Sequence, residues 1–423
     1  MPDHNTTHDV VIIGGGLSGL VAARELREHG RTVLLLEARE RLGGRTCYRR
    51  FDAAGTSVDL GGMWLGSERN TYVHAEVRRY GLALAAAPEP QAFSFAETNV
   101  AEEALGQAVD LITDEAERGT ETLLHTRPLD LDISVDTYLS KLDIAPPARE
   151  RLAWQVALHY GAPARQLSAL HLLGEIATHF NPFKDIAATV HRLADGTSAL
   201  TDALAAGAEC DIRRDTRVVR VENHHDHTRV ITHAGDTHHA AAAIVALPVN
   251  CWHTITFDPP LHPAKTAAAA HGHPGNLAKL WILANDLPHP CFVGEGREDG
   301  FAWVRTEQLL DNDGSLLVAG TDPRVMPGPY PTDTVQQALR DYAPHAHVTG
   351  VLTHDWKADP YSRGTWMATP PGWHTAYGDH LRTPEGRLHF AGADISGSYN
   401  SAWMDGAIEM GVRAARQTHE RLS

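Results

Sequence analysis

The residues GGGLSG, at positions 14 to 19, stand between the apolar run DVVIIGG and the helix-like run GLSGLVAARELREHG. Gly14 permits a tight turn, Gly16 lets a pyrophosphate approach the backbone, and Gly19 allows the helix to pack on the strand. The helix N-terminus then directs its partial positive charge at the phosphates. Glu37 ends the next apolar run, TVLLLEA, where its carboxylate would accept hydrogen bonds from an adenosine ribose. Strand, turn, helix and terminal acid together predict a dinucleotide-binding site.

Two segments rich in glycine and arginine follow this unit, LEARERLGGRT and VDLGGMWLG. They supply further candidate cofactor-binding residues: Arg39, Gly44, Arg45, Gly61, Gly62, Met63 and Trp64. A second GxGxxG of this kind does not occur in the sequence. A separate NADPH-binding fold is therefore not indicated, which disfavours a flavin monooxygenase with two nucleotide sites.

Across nearly its whole length the chain resembles the flavin-containing amine oxidase family, the group of monoamine and polyamine oxidases. The resemblance rests on several motifs in order: GGGLSG, EARERLGGRT, DLGGMWLG, VALP at 245 to 248, Lys279, DWKADPYSRGTW and FAGAD with the helix after it. The segment from about 90 to 190 carries little of it. The resemblance implies FAD as the cofactor, with Ser18 among its contacts. It also implies that the C–N bond of a primary or secondary amine is oxidised to an imine, which is hydrolysed, while O2 is reduced to hydrogen peroxide.

Lys279 lies in the strand-like run NLAKLWILAND. Alternation along a strand places Lys279 on one face with Trp281, while Leu280 and Ile282 occupy the other. Both faces are apolar, so we expect the ammonium group to be partly buried and its pKa to be lowered. A lysine that snorkels at a strand edge is the alternative interpretation. In the family, the matching lysine contacts the flavin N5 through a water and assists the reaction of reduced flavin with oxygen, which makes Lys279 a catalytic candidate.

The segment DWKADPYSRGTW resembles the one that runs beside the flavin in this family. Trp356 matches the tryptophan that flanks the isoalloxazine. Thr365 stands where the mammalian monoamine oxidases carry the cysteine that binds the flavin covalently, so we expect non-covalent FAD. Trp366 matches one aromatic of the substrate cage. A core or surface tryptophan remains the alternative for Trp366.

The stretch NSAWMDGAIEMG, residues 400 to 411, predicts the start of a last helix from about Ser401 to Glu420, capped by Asn400 or Ser401. Its small residues would let the helix N-terminus approach the flavin. By resemblance, Trp403 is the second wall of the substrate cage. The resemblance adds three cofactor-binding residues: Val218, whose strand reads the adenine edge, Asp394 at the end of FAGAD, and Met404.

Several alternatives stay open at this point. The chain could be a flavin desaturase or a dehydrogenase of a non-amine carbon skeleton, since such enzymes share the nucleotide motifs. It could be a non-catalytic flavoprotein, which the joint presence of Lys279, Trp366 and Trp403 disfavours. An L-amino acid oxidase would need a cation for the substrate carboxylate, for which Arg69 and Arg363 are candidates. The identity of the amine is not predicted.

Composition excludes several partners. The formal charge is −16, with 37 Lys plus Arg against 53 Asp plus Glu, which disfavours nucleic acid and anionic membranes. There is no apolar run of membrane-spanning length and no apolar signal core at the N-terminus, so a cytoplasmic protein is expected. The four cysteines (Cys47, Cys210, Cys251 and Cys291) form no CxxC pair, and the six histidines of 222–239 lie mostly at predicted turns. We therefore predict no metal site, with a metal at that histidine segment as the less favoured alternative.

These residues need elements to hold them. The fold class predicted is α/β with an α+β second domain: a Rossmann-like, GR2-type FAD-binding domain and a discontinuous substrate domain of mixed or antiparallel sheet plus helices. The FAD-binding domain is assigned to residues 1–80, 190–265 and 380–423. The substrate-binding domain is assigned to residues 81–189 and 266–379 and includes a helical insertion. A homodimer would be common for the family.

Overall fold

The structure is a computed structural model that describes residues 8–66, 69–89, 92–95, 102–126, 128–184, 191–287, 292–295, 300–310 and 314–423. Cys291 and the first seven residues, on which two of the expectations above bear, lie outside these ranges. Among the helices of the described residues, none combines the length and the apolar character that crossing a bilayer requires.

The strands follow one another along the whole chain. They are β1 (His8–Ile13), β2 (Val33–Leu36), β3 (Tyr48–Phe51), β4 (Thr56–Asp59), β5 (Trp64–Leu65), β6 (Leu84–Ala86), β7 (Ala92–Phe95), β8 (His191–Leu193), β9 (Asp211–Arg213), β10 (Val218–Asn223), β11 (Thr228–Thr232), β12 (Thr237–Val245), β13 (Thr256–Asp258), β14 (Ala278–Asn285), β15 (Phe292–Glu295), β16 (Trp303–Leu309), β17 (Ser315–Thr321), β18 (His347–Thr353) and β19 (Leu388–Phe390).

Helices occur between the strands and dominate the segment from about 100 to 180. They are α1 (Leu17–Glu28), α2 (Thr71–Tyr80), α3 (Glu102–Arg118), α4 (Thr120–His125), α5 (Val135–Lys141), α6 (Pro146–Tyr160), α7 (Ala169–Thr178), α8 (Thr197–Ala208), α9 (Pro263–His271), α10 (Thr332–Arg340), α11 (Trp373–Ala376) and α12 (Met404–Leu422).

The first sheet has the order β13-β10-β11-β12-β1-β2-β9, with β19 also paired to β12. The pairs formed by β12, β1, β2 and β9 are parallel, as is the β12–β19 pair, whereas β10–β11 and β11–β12 are antiparallel. Both faces of β1 and β2 are buried, so their apolar runs do not alternate with polar residues. Val10 and Leu35 pack toward α1, α8 and α12, and Val11 and Leu34 pack toward α9 and Trp252. The α/β prediction is confirmed.

The second sheet has the order β18-β14-β17-β16-β15-β7 and is antiparallel apart from the parallel β15–β7 pair. Both faces of its long strands are buried, each in a different apolar core. Leu280 and Ile282 pack with α10, while Trp281 and Leu283 join a separate core with Trp356. The alternation predicted along β14 is therefore present, and it places Lys279 on the Trp281 face.

A third core lies within helices α3 to α7, where the sequence predicts a helical insertion. The strands of the first sheet fall within 1–80, 190–265 and 380–423, and those of the second fall within the other two ranges. The domain boundaries themselves stay a prediction.

The last helix differs from expectation at its start. It begins at Met404 rather than Ser401, and Trp403 occupies its N-cap position with extended backbone and no capping side chain. Asn400 does not cap it, because its side-chain amide donates to Asp405 at 2.6 Å. The other oxygen of Asp405 accepts the backbone N–H of Val73 at 2.7 Å. The residues before Met404 thus form a turn held by side chains.

Candidate active site

One cavity of about 440 Å³ brings most of the candidate residues together. Its lining draws on the first sheet, the second sheet and the start of α12. The sequence-predicted residues in this lining are Gly14, Gly16, Ser18, Glu37, Arg39, Gly44, Arg45, Gly61, Gly62, Val218, Lys279, Trp356, Trp366, Trp403 and Met404. Gly19, Met63, Trp64 and Asp394 do not line it. The individual roles of all these residues stay predictions.

The turn from β1 to α1 has glycines because side chains would not fit. Gly14 has φ +107°, and a Cβ there would lie 2.5 Å from the Ala246 carbonyl oxygen. A Cβ at Gly19 would lie 2.0 Å from the carbonyl oxygen of Gly14, so Gly19 serves the packing of the turn on the helix from outside the cavity. Gly16 caps α1 without a side-chain hydrogen bond. The first N–H groups of α1 are therefore available to an anion in the cavity.

Glu37 is buried at the end of β2 and lines the same cavity. One carboxylate oxygen accepts the backbone N–H of Gly15 at 2.7 Å, and the other accepts that of Arg39 at 2.8 Å. These two bonds fix the carboxylate beside the glycine turn. Each oxygen has further lone-pair capacity for hydroxyl donors such as those of a ribose.

Arg45 and Asp394 form an ion pair in which the Asp394 carboxylate is almost fully buried. Arg45 also donates to the Thr365 carbonyl at 2.8 Å, and Asp394 accepts the backbone N–H of Val249 at 3.0 Å. Asp394 therefore lies behind the cavity wall. Its carboxylate contacts Arg45, which does line the cavity.

Lys279 is 5% exposed and donates to the Gly61 carbonyl at 2.8 Å. Burial lowers the pKa of its ammonium group to about 8, although the charges of Asp59 and Glu307 act in the opposite direction. The ammonium also lies 5.2 Å from the ring centroid of Trp64. Lys279 is thus buried with a lowered pKa, as the sequence predicts, and is not a lysine that snorkels to solvent.

Four aromatic or thioether side chains pack on the Lys279 side of the cavity. The Trp64 indole donates to Glu307 at 3.0 Å, and its ring packs edge-on against Trp303. Trp356 lines the cavity and donates to the Leu60 carbonyl at 3.0 Å. Met63 is buried in the same apolar core as Trp356. Met63 and Trp64 therefore stand behind the lining residues.

Trp366 and Trp403 both line the cavity, and each indole N–H has a protein acceptor. The indole N–H of Trp366 donates to the His159 carbonyl at 3.1 Å, and that of Trp403 donates to the Glu175 carboxylate at 2.6 Å. Sequence reasoning missed His159, Tyr160 and Glu175. One signal was available, because Glu175 is the single charged residue in the apolar helix ALHLLGEIAT.

The residues present fit a bound FAD. The cavity combines a glycine turn at a helix N-terminus, the Glu37 carboxylate and a buried Thr365 hydroxyl that has no hydrogen-bond partner in the described protein. Cys251 also lines the cavity, but burial raises the pKa of its thiol to about 12, so the reactive thiolate is scarce at neutral pH. With threonine at position 365, the FAD is held non-covalently.

The remaining candidates are the two arginines considered for a substrate carboxylate and the histidines of 222–239. Arg363 lines the cavity, whereas Arg69 is exposed and does not. Four of the six histidines of 222–239 lie in turns and two lie in β12. The described residues contain no group of three or more His, Cys, Asp or Glu side chains that could hold a metal ion.

Comparison with known proteins gives a consistent picture. Residues 17–419 match the family described as flavin containing amine oxidoreductase. The chain is 34% identical to (S)-6-hydroxynicotine oxidase of Paenarthrobacter nicotinovorans, over 95% of this chain and 97% of that protein. It is 30% identical to pseudooxynicotine dehydrogenase of a Pseudomonas species, over 99% and 87% respectively. Its fold is similar to that of wild-type putrescine oxidase bound to putrescine, with a TM-score of 0.86 at 23% identity and coverage of 97% and 99%.

The family match spans residues 17–419, and the relative at 34% identity covers 95% of the chain. The chain therefore belongs to the family of flavin-containing amine oxidoreductases.

Proposed function

We propose that this FAD-dependent amine oxidoreductase acts on an amine that carries an aromatic or other apolar group, held between Trp366 and Trp403, with O2 as electron acceptor. The observation that supports it most is the composition of the cavity lining. Glu37, at the nucleotide end, is the one acidic side chain among the described residues that line the cavity. The lining around Lys279, Trp366 and Trp403 offers no carboxylate for the second ammonium group of a diamine, because Glu175 does not line the cavity and already accepts the Trp403 indole N–H. An unpaired buried charge is costly.

The relatives support the same substrate class. Two of them are named for nicotine-type compounds, (S)-6-hydroxynicotine and pseudooxynicotine, which combine an aromatic ring with an amine nitrogen. Two indole faces suit such a molecule, since aromatic rings pack favourably edge-on or offset. We therefore propose a nicotine-type aryl amine ahead of putrescine, the ligand of the structurally similar putrescine oxidase.

FAD, when bound, supplies the two-electron oxidant for the C–N bond. The chain's own residues bind and orient the amine and exclude water. In this proposal the two indoles hold the reacting carbon in place and their apolar faces favour the neutral amine over its ammonium form. Lys279 presents its ammonium group beside Gly61 and Trp64, where a cation can stabilise negative charge that develops on oxygen.

The substrate proposal is tested by steady-state kinetics with a panel of amines. Peroxide release is measured with a nicotine-type cyclic amine, a benzylic amine, putrescine and L-amino acids at matched pH. We expect the highest kcat/KM with the aryl amines. Putrescine or an amino acid as the best substrate would contradict the proposal, the amino acid result pointing to Arg363 as a carboxylate partner.

The electron acceptor is tested separately, since one relative is named a dehydrogenase. The flavin is first reduced by amine without oxygen, and its absorbance is then followed after mixing with O2 or with an artificial acceptor. Rapid recovery with O2 supports an oxidase. Slow recovery with O2 and rapid recovery with the artificial acceptor would instead indicate a dehydrogenase, and no reduction by any amine would favour a non-amine substrate. A cytoplasmic location and a homodimer stay predictions.

A further inference from the structure

A buried polar cluster of the helical region meets the Trp403 side of the cavity. It comprises His159 and Tyr160 at the end of α6, Glu175 of α7, and the Trp403 indole. Glu175 accepts the Trp403 N–H at 2.6 Å on one carboxylate oxygen. The Tyr160 hydroxyl donates to the other oxygen, which also lies 3.5 Å from the imidazole Nε2 of His159. Each oxygen of the Glu175 carboxylate therefore contacts side chains at or behind the cavity lining.

Glu175 is charged in spite of its burial. Its side chain is fully buried, which by itself raises the pKa, but His159, His171 and the Tyr160 hydroxyl together outweigh that effect and lower the pKa to about 2. Burial and the neighbouring carboxylate in turn keep the Tyr160 phenol protonated by raising its pKa. The carboxylate is therefore an acceptor and the indole a donor, and such a charge-assisted bond is shorter and stronger than a neutral one.

The residues just before Trp403 also pack against α7. A Cβ at Gly174 would lie within 2.4 Å of the Tyr399 ring, so the glycine lets this ring lie directly against the helix. Tyr399 adopts φ +59° and donates its hydroxyl to the Leu123 carbonyl at 2.8 Å. Two adjacent residues of α7, Gly174 and Glu175, therefore fix the turn that carries Trp403.

We propose that Glu175 is a positioning residue that sets the orientation of the Trp403 indole, so that α6 and α7 determine the shape of the substrate site. The His159 carbonyl performs the same task for Trp366, the other wall. This inference rests on the proposed function, because it assumes that both indoles contact the amine. The helical region carries little of the family resemblance, but in this proposal it shapes the substrate site. Substitutions in α6 and α7 would therefore change which amine fits between the two indoles.

The test is a double-mutant cycle between Glu175 and Trp403. Glu175→Leu removes the acceptor and Trp403→Phe removes the donor but keeps an aromatic ring. We expect Glu175→Leu to lower kcat/KM for the preferred amine by about tenfold or more, mostly through slower flavin reduction, as the loss of a hydrogen bond to a charged group predicts. In the Trp403→Phe background the same substitution adds less than about twofold, because the bond is already absent. The reaction of reduced enzyme with O2 stays unchanged.

Three further variants keep the result interpretable. Glu175→Gln retains an acceptor oxygen and should recover most of the lost rate. Glu175→Met has no oxygen to accept the indole N–H, and it replaces Glu175→Leu in the cycle if the leucine variant does not fold. Thr178→Val is the matched control in the same helix, since that hydroxyl donates to the Gly174 carbonyl of α7 itself. It should leave the amine kinetics unchanged.

The outcomes separate this inference from the function on which it rests. Equal losses from the Glu175 substitution in both backgrounds would overturn the inference, because Glu175 would then act on the fold in general. If Trp403→Phe and Trp403→Ala both leave the amine kinetics unchanged, the wall role in the proposed function fails. If Trp403→Ala is impaired but Glu175→Leu is not, the wall role stands and only the positioning role fails.

Discussion

Lys279 is the side chain for which a substitution can separate the two halves of the reaction. A Lys279→Met change keeps a side chain of similar length in the apolar core but removes the charge and the bond to Gly61. We expect the rate constant for oxidation of the reduced enzyme by O2 to fall about 100-fold or more, as for loss of a charge-stabilising group in an active site. The rate of reduction by amine should change little. Stopped-flow measurement of each half-reaction provides the check, and equal losses in both would remove the proposed role.

The buried ammonium group also predicts opposite pH dependences for the two half-reactions. The pKa of Lys279 is about 8, below the ordinary value of 10.5, so the cation is present below pH 8 and is lost as the pH rises through that value. We therefore expect oxidation by O2 to slow above pH 8 in the wild type and to be independent of pH in Lys279→Met. Reduction should accelerate from pH 6 to 9, because the neutral amine is the reacting form. A flat reduction profile with an ordinary amine, or the same oxygen profile in both proteins, would contradict this account.

The packing of α12 against α1 determines where the N-terminus of α12 lies relative to the cavity. Gly411 lies where α12 crosses α1, and a Cβ there would stand 2.5 Å from the Ser18 carbonyl oxygen and 2.9 Å from Cβ of Val21. Both α1 and α12 contribute residues to the cavity lining, among them Ser18 and Met404. The short distance between α1 and α12 at this crossing therefore determines where the N-termini of both helices lie.

Substitution of two helical glycines tests this packing. Gly411→Ala forces the helices apart and should destabilise the protein by about 1–3 kcal/mol, as other overpacking substitutions do, and should weaken FAD binding. Gly106→Ala is the matched control, because Gly106 is exposed in α3 and has open space around its Cα. It should stabilise the protein by about 0.5–1 kcal/mol, since alanine favours a helix interior over glycine. Denaturant unfolding and FAD titration of both variants give the answer, and a stable Gly411→Ala with normal FAD affinity would refute the argument.

The sequence correctly predicted those elements whose apolar residues or glycines follow a clear local pattern. The buried runs of β1 and β2, the alternation of β14 and the glycine turn at Gly14 are each readable within about ten residues. The predicted start of α12 was wrong because Asn400 donates to Asp405, which also accepts the backbone N–H of Val73, and propensity does not reveal these bonds. The bond from Trp403 to Glu175 joins residues 228 positions apart, so a single sequence gives no sign that the two meet.

At the level of the molecule, the cavity is assembled from parts of the chain that are distant in sequence. Its lining runs from Ile13 to Ala407 and includes Lys279 from the second sheet. A ligand that fills the cavity therefore contacts both sheets and the turn before α12. Because it binds the folded protein and not the unfolded chain, FAD stabilises the whole fold through mass action.

This linkage gives a quantitative expectation for the apoprotein. FAD at about 100 times its Kd adds about 2.7 kcal/mol of stability. With an unfolding entropy of about 2.1 cal/mol/K per residue, this raises Tm by about 3 °C for a chain of 423 residues. Because Thr365 offers no thiol, acid precipitation should release the yellow chromophore into the supernatant. A coloured pellet would show a covalent bond and would direct attention to Cys251, the thiol that lines the cavity.

Two controls identify the part of FAD that supplies this stability. FMN lacks the adenosine monophosphate half of FAD, whose ribose would reach Glu37 and whose phosphate would lie at the glycine turn, so it should raise Tm by clearly less than FAD at equal concentration. Glu37→Gln should reduce the effect of FAD without altering that of FMN, because the carboxylate accepts the N–H groups of Gly15 and Arg39 at the nucleotide end. Equal shifts with FMN and FAD in the wild type would mean that the adenosine monophosphate half, with its contact to Glu37, contributes no binding energy. The affinity would then come from the part of the cavity that includes Lys279 and Trp356.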